Sequence, residues 1–315
     1  MNNSMVTVCI VTYNQKKYIE QCLDSIVNQK TDYSYQVIIS DDASTDGTSE
    51  ICAEYAKRYQ FINHIRHATN IGAYENFKYV HRQAKTQYVS HCDADDSWHE
   101  DKLEKQIKFL EGNSDCCAVY SNAIVINEHG TRIGVFNNSE EIPSKITIGY
   151  LLEKSNFLNN SSMIYRRDMI GDIFDADGKV VDYRIHIHLA NCGLLGYIKE
   201  SLAFYRKGAA GGLCLNAPAA VGQLVHEARL DGIKNAKLSI VDFSKIKTNA
   251  WYGKLTCFLK RNKFMYARHT EVEALIVDYD FIQSVMFLFF EIVIYFFCKM
   301  KEKLSINKNI ILYHR

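Results

Sequence analysis

The sequence predicts an α/β fold built on a mainly parallel sheet with helices on its faces. Three observations predict it: strand-like and helix-like segments alternate along the first half, 47% of the residues are hydrophobic, and only Pro143 and Pro218 interrupt 315 residues. Residues 6–11 form a near-continuous β-branched run suited to a strand covered on both faces. Residues 18–29 follow, with Ile19, Cys22, Leu23, Ile26 and Val27 at helical spacing. The strand pattern returns at residues 36–40, a helix at 46–59, a short strand at 63–66, a helix at 75–84 and a strand at 88–92. No repeat or low-complexity linker marks a hinge before about residue 215.

Composition narrows the class. Lys and Arg total 37 against 36 Asp and Glu, so no global field favours nucleic acid, and no nucleic-acid partner is expected. Ten cysteines lie scattered without a C-x-x-C pair, and the adjacent Cys116 and Cys117 have poor geometry for bridging to each other. They read as buried small hydrophobes in a reducing cytoplasm. The start of the chain lacks a basic region followed by an apolar stretch, so a secretory signal is not expected.

In parallel sheets ligands bind beyond the carboxyl ends of the strands. The loops there are Thr12-Tyr13-Asn14-Gln15, the acidic segment from Asp41 to Thr48, Thr69-Asn70-Ile71-Gly72, and Asp93-Ala94-Asp95-Asp96-Ser97-Trp98. None holds G-x-G-x-x-G or a P-loop, which excludes the backbone cradles of dinucleotide enzymes and P-loop ATPases. Three acids crowded at one strand end repel one another unless a cation sits among them; the alternative is a solvated turn that caps the next helix. A carboxylate can accept from a base ring N–H or from ribose hydroxyls, a tyrosine can flank a base, and a metal on Asp95 can neutralise a diphosphate. Together these groups describe a nucleotide-diphosphate site.

The order T-Y-N-Q, V-I-I-S-D-D-A-S-T-D-G-T, N-I-G-A-Y-E-N-F and D-A-D-D-S-W, followed by K-L-E-K-Q, resembles the family 2 inverting glycosyltransferases of the GT-A fold. The likeness runs over roughly residues 5–212 and takes in N-S-S-M-I-Y-R-R, residues 182–189 and A-F-Y-R. It implies a catalytic domain at 1–215, with a nucleotide half at about 1–97 and an acceptor half at about 98–215. Residues 216–315 then form a helical, apolar extension. It also implies Mn²⁺ or Mg²⁺, a nucleotide-sugar donor with UDP favoured, and a hexosyl or N-acetylhexosaminyl group as cargo. The implied acceptor is a glycan, lipid-linked by preference, in the surface polysaccharides (capsule, O-antigen) such enzymes build.

Roles carry over residue by residue. Thr12, Tyr13 and Asn14 resemble the nucleotide-contacting loop, Asp42 the acid that reads the base, with Asp41 its competitor. Asn70, Gly72 and Asn76 resemble further donor-side positions. Asp95 resembles the metal ligand, with Asp93 and Asp96 near ribose, sugar or water. Asp46 reads as a helix cap. Ser161 and Ser162 resemble the acceptor side; Trp98, placed with them, also reads as a packing anchor. Inverting transfer needs a base opposite the leaving group, and Asp182 ahead of an apolar helix resembles it, with Asp175 and Asp177 as alternatives. His186 and His188 diverge on a helix and do not suggest a metal pair. Two departures stand out: Glu100 replaces a common Pro, and no His follows Tyr205-Arg206, leaving Arg206 or Lys207 to contact donor phosphate.

Beyond Gly212 the resemblance fades. Trp251, Leu255, Phe258, Leu259 and Met265 fall near one helical face among Lys254, Lys260, Arg261, Lys263 and Arg268, a pattern suited to anionic lipid or to packing on the catalytic domain. Residues 281–298 are nearly all apolar but carry Glu291, and the flanking charges would put the catalytic half outside if they spanned. An in-plane, re-entrant or dimer-forming helix is therefore expected, with the protein cytoplasmic and peripheral to the inner membrane face. A nucleotidyltransferase or a non-catalytic scaffold of the same fold is the alternative function. The former should carry a Gly-rich, basic loop after its first strand, and Thr12-Tyr13-Asn14-Gln15 is not one.

Overall fold

The computed structural model describes residues 4–175, 179, 181–209, 217–259, 263–274 and 310–311. The predicted alternation is present. Strand β1 (Val6–Thr12) leads to α1 (Ile19–Val27), β2 (Tyr35–Asp41) to α2 (Thr48–Arg58), β3 (Ile62–Arg66) to α3 (Ala73–Gln83), and β4 (Tyr88–Asp93) closes the series. These four strands are mutually parallel in the order β4-β1-β2-β3, because each helix crosses back over the sheet between them.

The second half adds strands that the sequence reading left unassigned. A short β5 (Ser97–Trp98) and helix α4 (Lys102–Gly112) precede the long β6 (Cys116–Ile126) and β7 (Arg132–Val135). After β8 (Lys145–Ile146), helix α5 (Ile148–Lys154) and a 3-10 turn at Asn160–Ser162, strand β9 (Ile164–Arg166) inserts antiparallel between β4 and β6. Helix α6 (Asp182–Cys192) then feeds β10 (Leu194–Arg206), which runs parallel to β6 and ends antiparallel to β5. Helices α7 (Pro218–Asn235), α8 (Ile240–Leu259) and α9 (Lys263–Ala274) follow, and β11 (Ile310–Ile311) pairs with β7.

Apolar side chains pack on both faces of the sheet, as the unbroken runs in β1 and β2 require. One core gathers Ile19, Leu23 and Ile26 of α1, Cys52 of α2 and Leu103, Ile107 and Leu110 of α4. The other gathers Val80 of α3, Leu151 and Leu152 of α5, Ile185 and Leu189 of α6, and Ile246 and Ala250 of α8. Helix α8 thus docks on the α/β unit, with Asn249 donating to Glu153 at 3.2 Å. The basic amphipathic segment is split between α8 and α9, and Trp251 stays partly exposed. No helix among the described residues is long and apolar enough to cross a membrane. Residues 281–298, expected to lie in or on one, fall outside the described residues.

Candidate active site

Register brings the candidate residues to one rim. Thr12 pairs with Asp41 across β1 and β2, and Val11 pairs with Asp93 across β1 and β4, so three strand ends finish side by side. The two adjacent acids after β2 divide their work. Asp41 turns inward, fully buried, and accepts from the Ser44 N–H at 2.9 Å and from the Ser49 hydroxyl, with His64 Nε2 at 3.6 Å. Burial works against its ionisation, but the His64, Ser44 and Ser49 contacts outweigh it and hold the carboxyl well below its usual range. Asp42 turns to the neighbouring loop and accepts from the Ile71 and Gly72 N–H groups at 2.6 and 2.9 Å. Gly72 has a φ of +89°, a conformation that a side chain would strain.

Asn70 completes that loop, donating to the Asp42 carbonyl and accepting from Gly72 N–H. Asn76 is placed differently from its donor-side expectation: its amide oxygen accepts from the Ser40 hydroxyl and its nitrogen donates to the Ser40 carbonyl, behind β2. On the opposite side of the rim, Asn14 N–H donates to Ser44 Oγ and Asn14 Oδ1 accepts from Thr45 N–H. These bonds tie the first loop to the second and leave Tyr13 46% exposed, free to lie against a planar group. The Thr12 hydroxyl is buried without a partner among the described residues. Asp46 accepts from Thr48 N–H and Lys16 N–H; the N-cap of α2 is Gly47, so Asp46 ties the first loop to the start of the helix from one position before the cap.

The acids after β4 also differ from one another. Asp93 is held at both oxygens, by His91 Nε2 at 3.1 Å and by the Ser161 hydroxyl at 3.3 Å, yet its side chain stays 42% exposed. Burial raises its carboxyl, but His91 and Ser161 bring it below the ordinary value. The Asp95 carboxylate receives no hydrogen bond from another residue among those described; burial, then the charge on Asp93, push it up to about 7. Asp96 is buried and accepts from the Arg206 N–H at 2.7 Å, while burial and the charges of Asp95 and Asp93 push it well up.

Arg206, offered by sequence as a phosphate contact, is spent within the fold. Only 4% exposed, it donates to the carbonyls of Asp95, Asn127 and Glu128 and to Gln21, with its guanidinium 4.6 Å from the Tyr18 ring centroid. It staples the acid loop to α1 and to the β6–β7 connection, and Lys207 beside it is exposed. Arg206→Ala is expected to cost about 2 kcal/mol or more, because several charge-assisted bonds are lost at once. Denaturant unfolding measures it; an unchanged midpoint would contradict the stapling role.

Three residues expected on the acceptor side lie beneath the acids instead. Trp98 Nε1 donates to the Ser161 carbonyl at 2.7 Å, with Lys102 Nζ 3.9 Å from its ring centroid. Ser161 Oγ accepts from the Asp93 N–H, and Ser162 Oγ donates to the Asn159 carbonyl. All three are buried and leave no surface for an acceptor; Ser161, held by Trp98, sets the position of Asp93.

Asp182 opens α6, where its carboxylate accepts from Tyr183 N–H at 2.7 Å and from Asn156 at 3.2 Å. Burial dominates in raising its carboxyl, opposed by those two bonds, and the charge on Asp93 adds to the rise. The two acids therefore lie within electrostatic reach. One turn on, His186 is buried with both ring nitrogens unpartnered among the described residues, and burial pushes it down to about 3; His188 lies on another face, half-buried. Of the alternative bases, Asp175 is exposed and paired with Arg82 at 2.8 Å, and Asp177 lies outside the described residues. The residue that sequence reasoning passed over is His91. A histidine inside the apolar β4, two positions before the D-x-D, was the available signal.

A parallel sheet with its acids gathered at the strand ends, a long crossing strand and a helix opening on an acid define the class: a protein of the GT-A fold. Residues 7–174 match glycosyl transferase family 2, and the chain belongs to that family. An uncharacterised protein of Mycobacterium tuberculosis is 35% identical over 212 residues, covering 65% of this chain and 60% of that protein. The chain thus spans well under two thirds of that relative's length. The putative teichuronic acid biosynthesis glycosyltransferase TuaG of Bacillus subtilis is 29% identical over 204 residues, covering 64% of this chain and 79% of TuaG. Among solved structures, S. aureus TarS 1-349 in complex with UDP-GlcNAc superimposes with a TM-score of 0.62 at 18% identity, covering 84% of this chain and 79% of TarS. The chain is thus a member of glycosyl transferase family 2 with a relative named for teichuronic acid biosynthesis.

Proposed function

We propose that this glycosyltransferase moves one hexosyl or N-acetylhexosaminyl group from a nucleotide-diphosphate donor, UDP-linked by preference, to a growing lipid-linked glycan with inversion. The observation that carries the reading is the approach of Asp93, two residues before Asp95 at the end of β4, to Asp182, close enough that the charge on Asp93 acts on Asp182. In this reading residues 1–215 are the catalytic domain. Tyr13 flanks the base, Asp42 shapes the loop that reads it, and Asp93 serves ribose, sugar or water, whereas Asp96, expected beside it, is buried against the Arg206 N–H and holds the loop. Residues 216–315 attach the enzyme to the inner face of the plasma membrane or to a second copy.

Asp95 suits a divalent cation such as Mn²⁺ or Mg²⁺. Its carboxylate has no donor from another residue among those described, and its raised affinity for a proton reflects a charge in need of a counterion. No group of three or more His, Cys, Asp or Glu among the described residues could hold a metal ion by itself, so donor diphosphate oxygens and waters would have to supply the remaining ligands. Bound there, the cation would act as a Lewis acid on the departing diphosphate. Asp182 takes the proton of the acceptor hydroxyl as that oxygen bonds to the anomeric carbon and the bond from that carbon to the diphosphate breaks.

A thermal-shift screen of nucleotide sugars with and without Mn²⁺ tests the reading. A donor at a hundred times its Kd stabilises the native state by about 2.7 kcal/mol, so at least one nucleotide sugar should raise the midpoint in a Mn²⁺-dependent way. A panel of UDP-, GDP- and dTDP-sugars that shifts nothing and is not turned over would refute it.

A further inference from the structure

Behind Asp93 lies a buried line of hydrogen-bonding groups that the proposed reaction does not use. Asp93 Oδ1 is 3.1 Å from His91 Nε2, His91 Nδ1 is 3.1 Å from His81 Nε2, and His81 Nδ1 is 3.0 Å from the Tyr165 hydroxyl. His91, His81 and Tyr165 are all buried. The rings are clamped by stacking: Phe77 lies 4.2 Å from His81 and 4.7 Å from His91, and Phe174 lies 4.9 Å from His81, centroid to centroid.

Hydrogen-bonding capacity fixes the direction of the whole line. An ionised carboxylate only accepts, so His91 Nε2 carries a proton and its Nδ1 accepts. His81 must then donate from Nε2 and accept at Nδ1, and Tyr165 donates its hydroxyl proton. With both rings neutral, any other arrangement leaves a buried donor facing a donor or an acceptor facing an acceptor, at about 1–3 kcal/mol per unmet group. In that neutral line three donors in series point toward Asp93, polarising one another. Burial holds His81 well below its ordinary value, which favours the neutral imidazole this line needs.

We infer that His91, locked by His81 and Tyr165 in the neutral Nε2–H tautomer, is a positioning residue that fixes the Asp93 carboxylate for the hydroxyls of the donor. This rests on the donor-site reading above. Ser161 grips the second oxygen, so Asp93 is held from behind at both oxygens while its open face stays toward solvent. A merely structural histidine in β4 would need neither a carboxylate at the rim nor a second histidine in register.

Two measurements test the inference. In the full chain labelled with ¹⁵N-histidine, His91 and His81 should both give the Nε2–H signature of neutral imidazole, and Tyr165→Phe should disturb both. A Nδ1–H tautomer or an imidazolium at His91 overturns the inference whether or not any donor binds. Titration calorimetry then uses the nucleotide sugar that most stabilises the native chain, with Mn²⁺. His91→Phe, which keeps a ring against Phe77 but cannot donate, should weaken binding about tenfold, since a lost charge-assisted bond is worth about 1.5 kcal/mol. His91→Gln, which restores an N–H at similar reach, should stay within about threefold of native. Equal binding by native and a folded His91→Phe overturns the inference and leaves the donor reading standing. A native chain that binds no nucleotide sugar overturns the donor reading, and the imidazole signatures then judge the hydrogen-bond line alone.

Discussion

Asp182→Asn is expected to abolish sugar transfer while leaving the donor site intact. Removing a general base costs about 10²- to 10⁴-fold in rate, and the amide, nearly the same shape, should hold nucleotide affinity within about twofold. Its oxygen can still accept from Tyr183 N–H, so the start of α6 should survive. The native chain should also show a displaced acid limb. Burial first, and the charge on Asp93 with it, raise the Asp182 carboxyl, and only the ionised form accepts a proton. Activity is then lost as pH falls through a value above the usual aspartate range of about 3.9. Asp175→Asn is the control: that side chain is exposed and bound to Arg82, so kcat/KM should stay within about twofold. Undiminished transfer by the Asp182→Asn variant, or a loss of activity seen only with Asp175→Asn, removes Asp182 from the role.

Asp95→Asn should have the second large effect, of opposite character. Nucleotide binding should lose its Mn²⁺ dependence and transfer should fall by about 10²-fold or more, because the charge on the leaving diphosphate is no longer offset. Without metal, the variant should be at least as stable as the native chain, since a neutral amide removes a charge that burial and Asp93 disfavour. Calorimetric titration of Mn²⁺ with the matching nucleotide, paired with thermal unfolding in a chelator, reads both. Native-like Mn²⁺ dependence in the variant would move the metal away from Asp95.

The sequence made the scaffold of the site legible because its first four strands are local. Each run of β-branched residues is followed within a few positions by a helical face, and the acids fall where parallel strands must end. The division of labour between Asp41 and Asp42 was not legible, since adjacent residues of one strand differ only in which way they point. Trp98 could be read as an anchor from its size, but its bond to the Ser161 carbonyl links positions far apart in the chain. The same distance hid the line from Asp93 to Tyr165 and the fate of Arg206, whose four acceptors come from α1, the acid loop and the β6–β7 connection. Strands β9 and β10 escaped because β9 is three residues long and inserts between strands that formed earlier in the chain.

The back-to-back pair at the end of β2 has a consequence for how this chain tolerates insertions. Because successive side chains on a strand face opposite ways, one residue added or lost between Val37 and Asp42 would exchange the two acids. The carboxylate that now closes its own turn through Ser44 and Ser49 would face Ile71 and Gly72, and the other would be turned into the sheet. Substitutions of Val37, Ile38 and Ile39 among aliphatic residues should therefore be absorbed by repacking, whereas the spacing of this segment is a fixed ruler. Insertions should be tolerated best in exposed loops away from these strand ends, and unfolding midpoints of single-residue insertions on either side of β2 would check it.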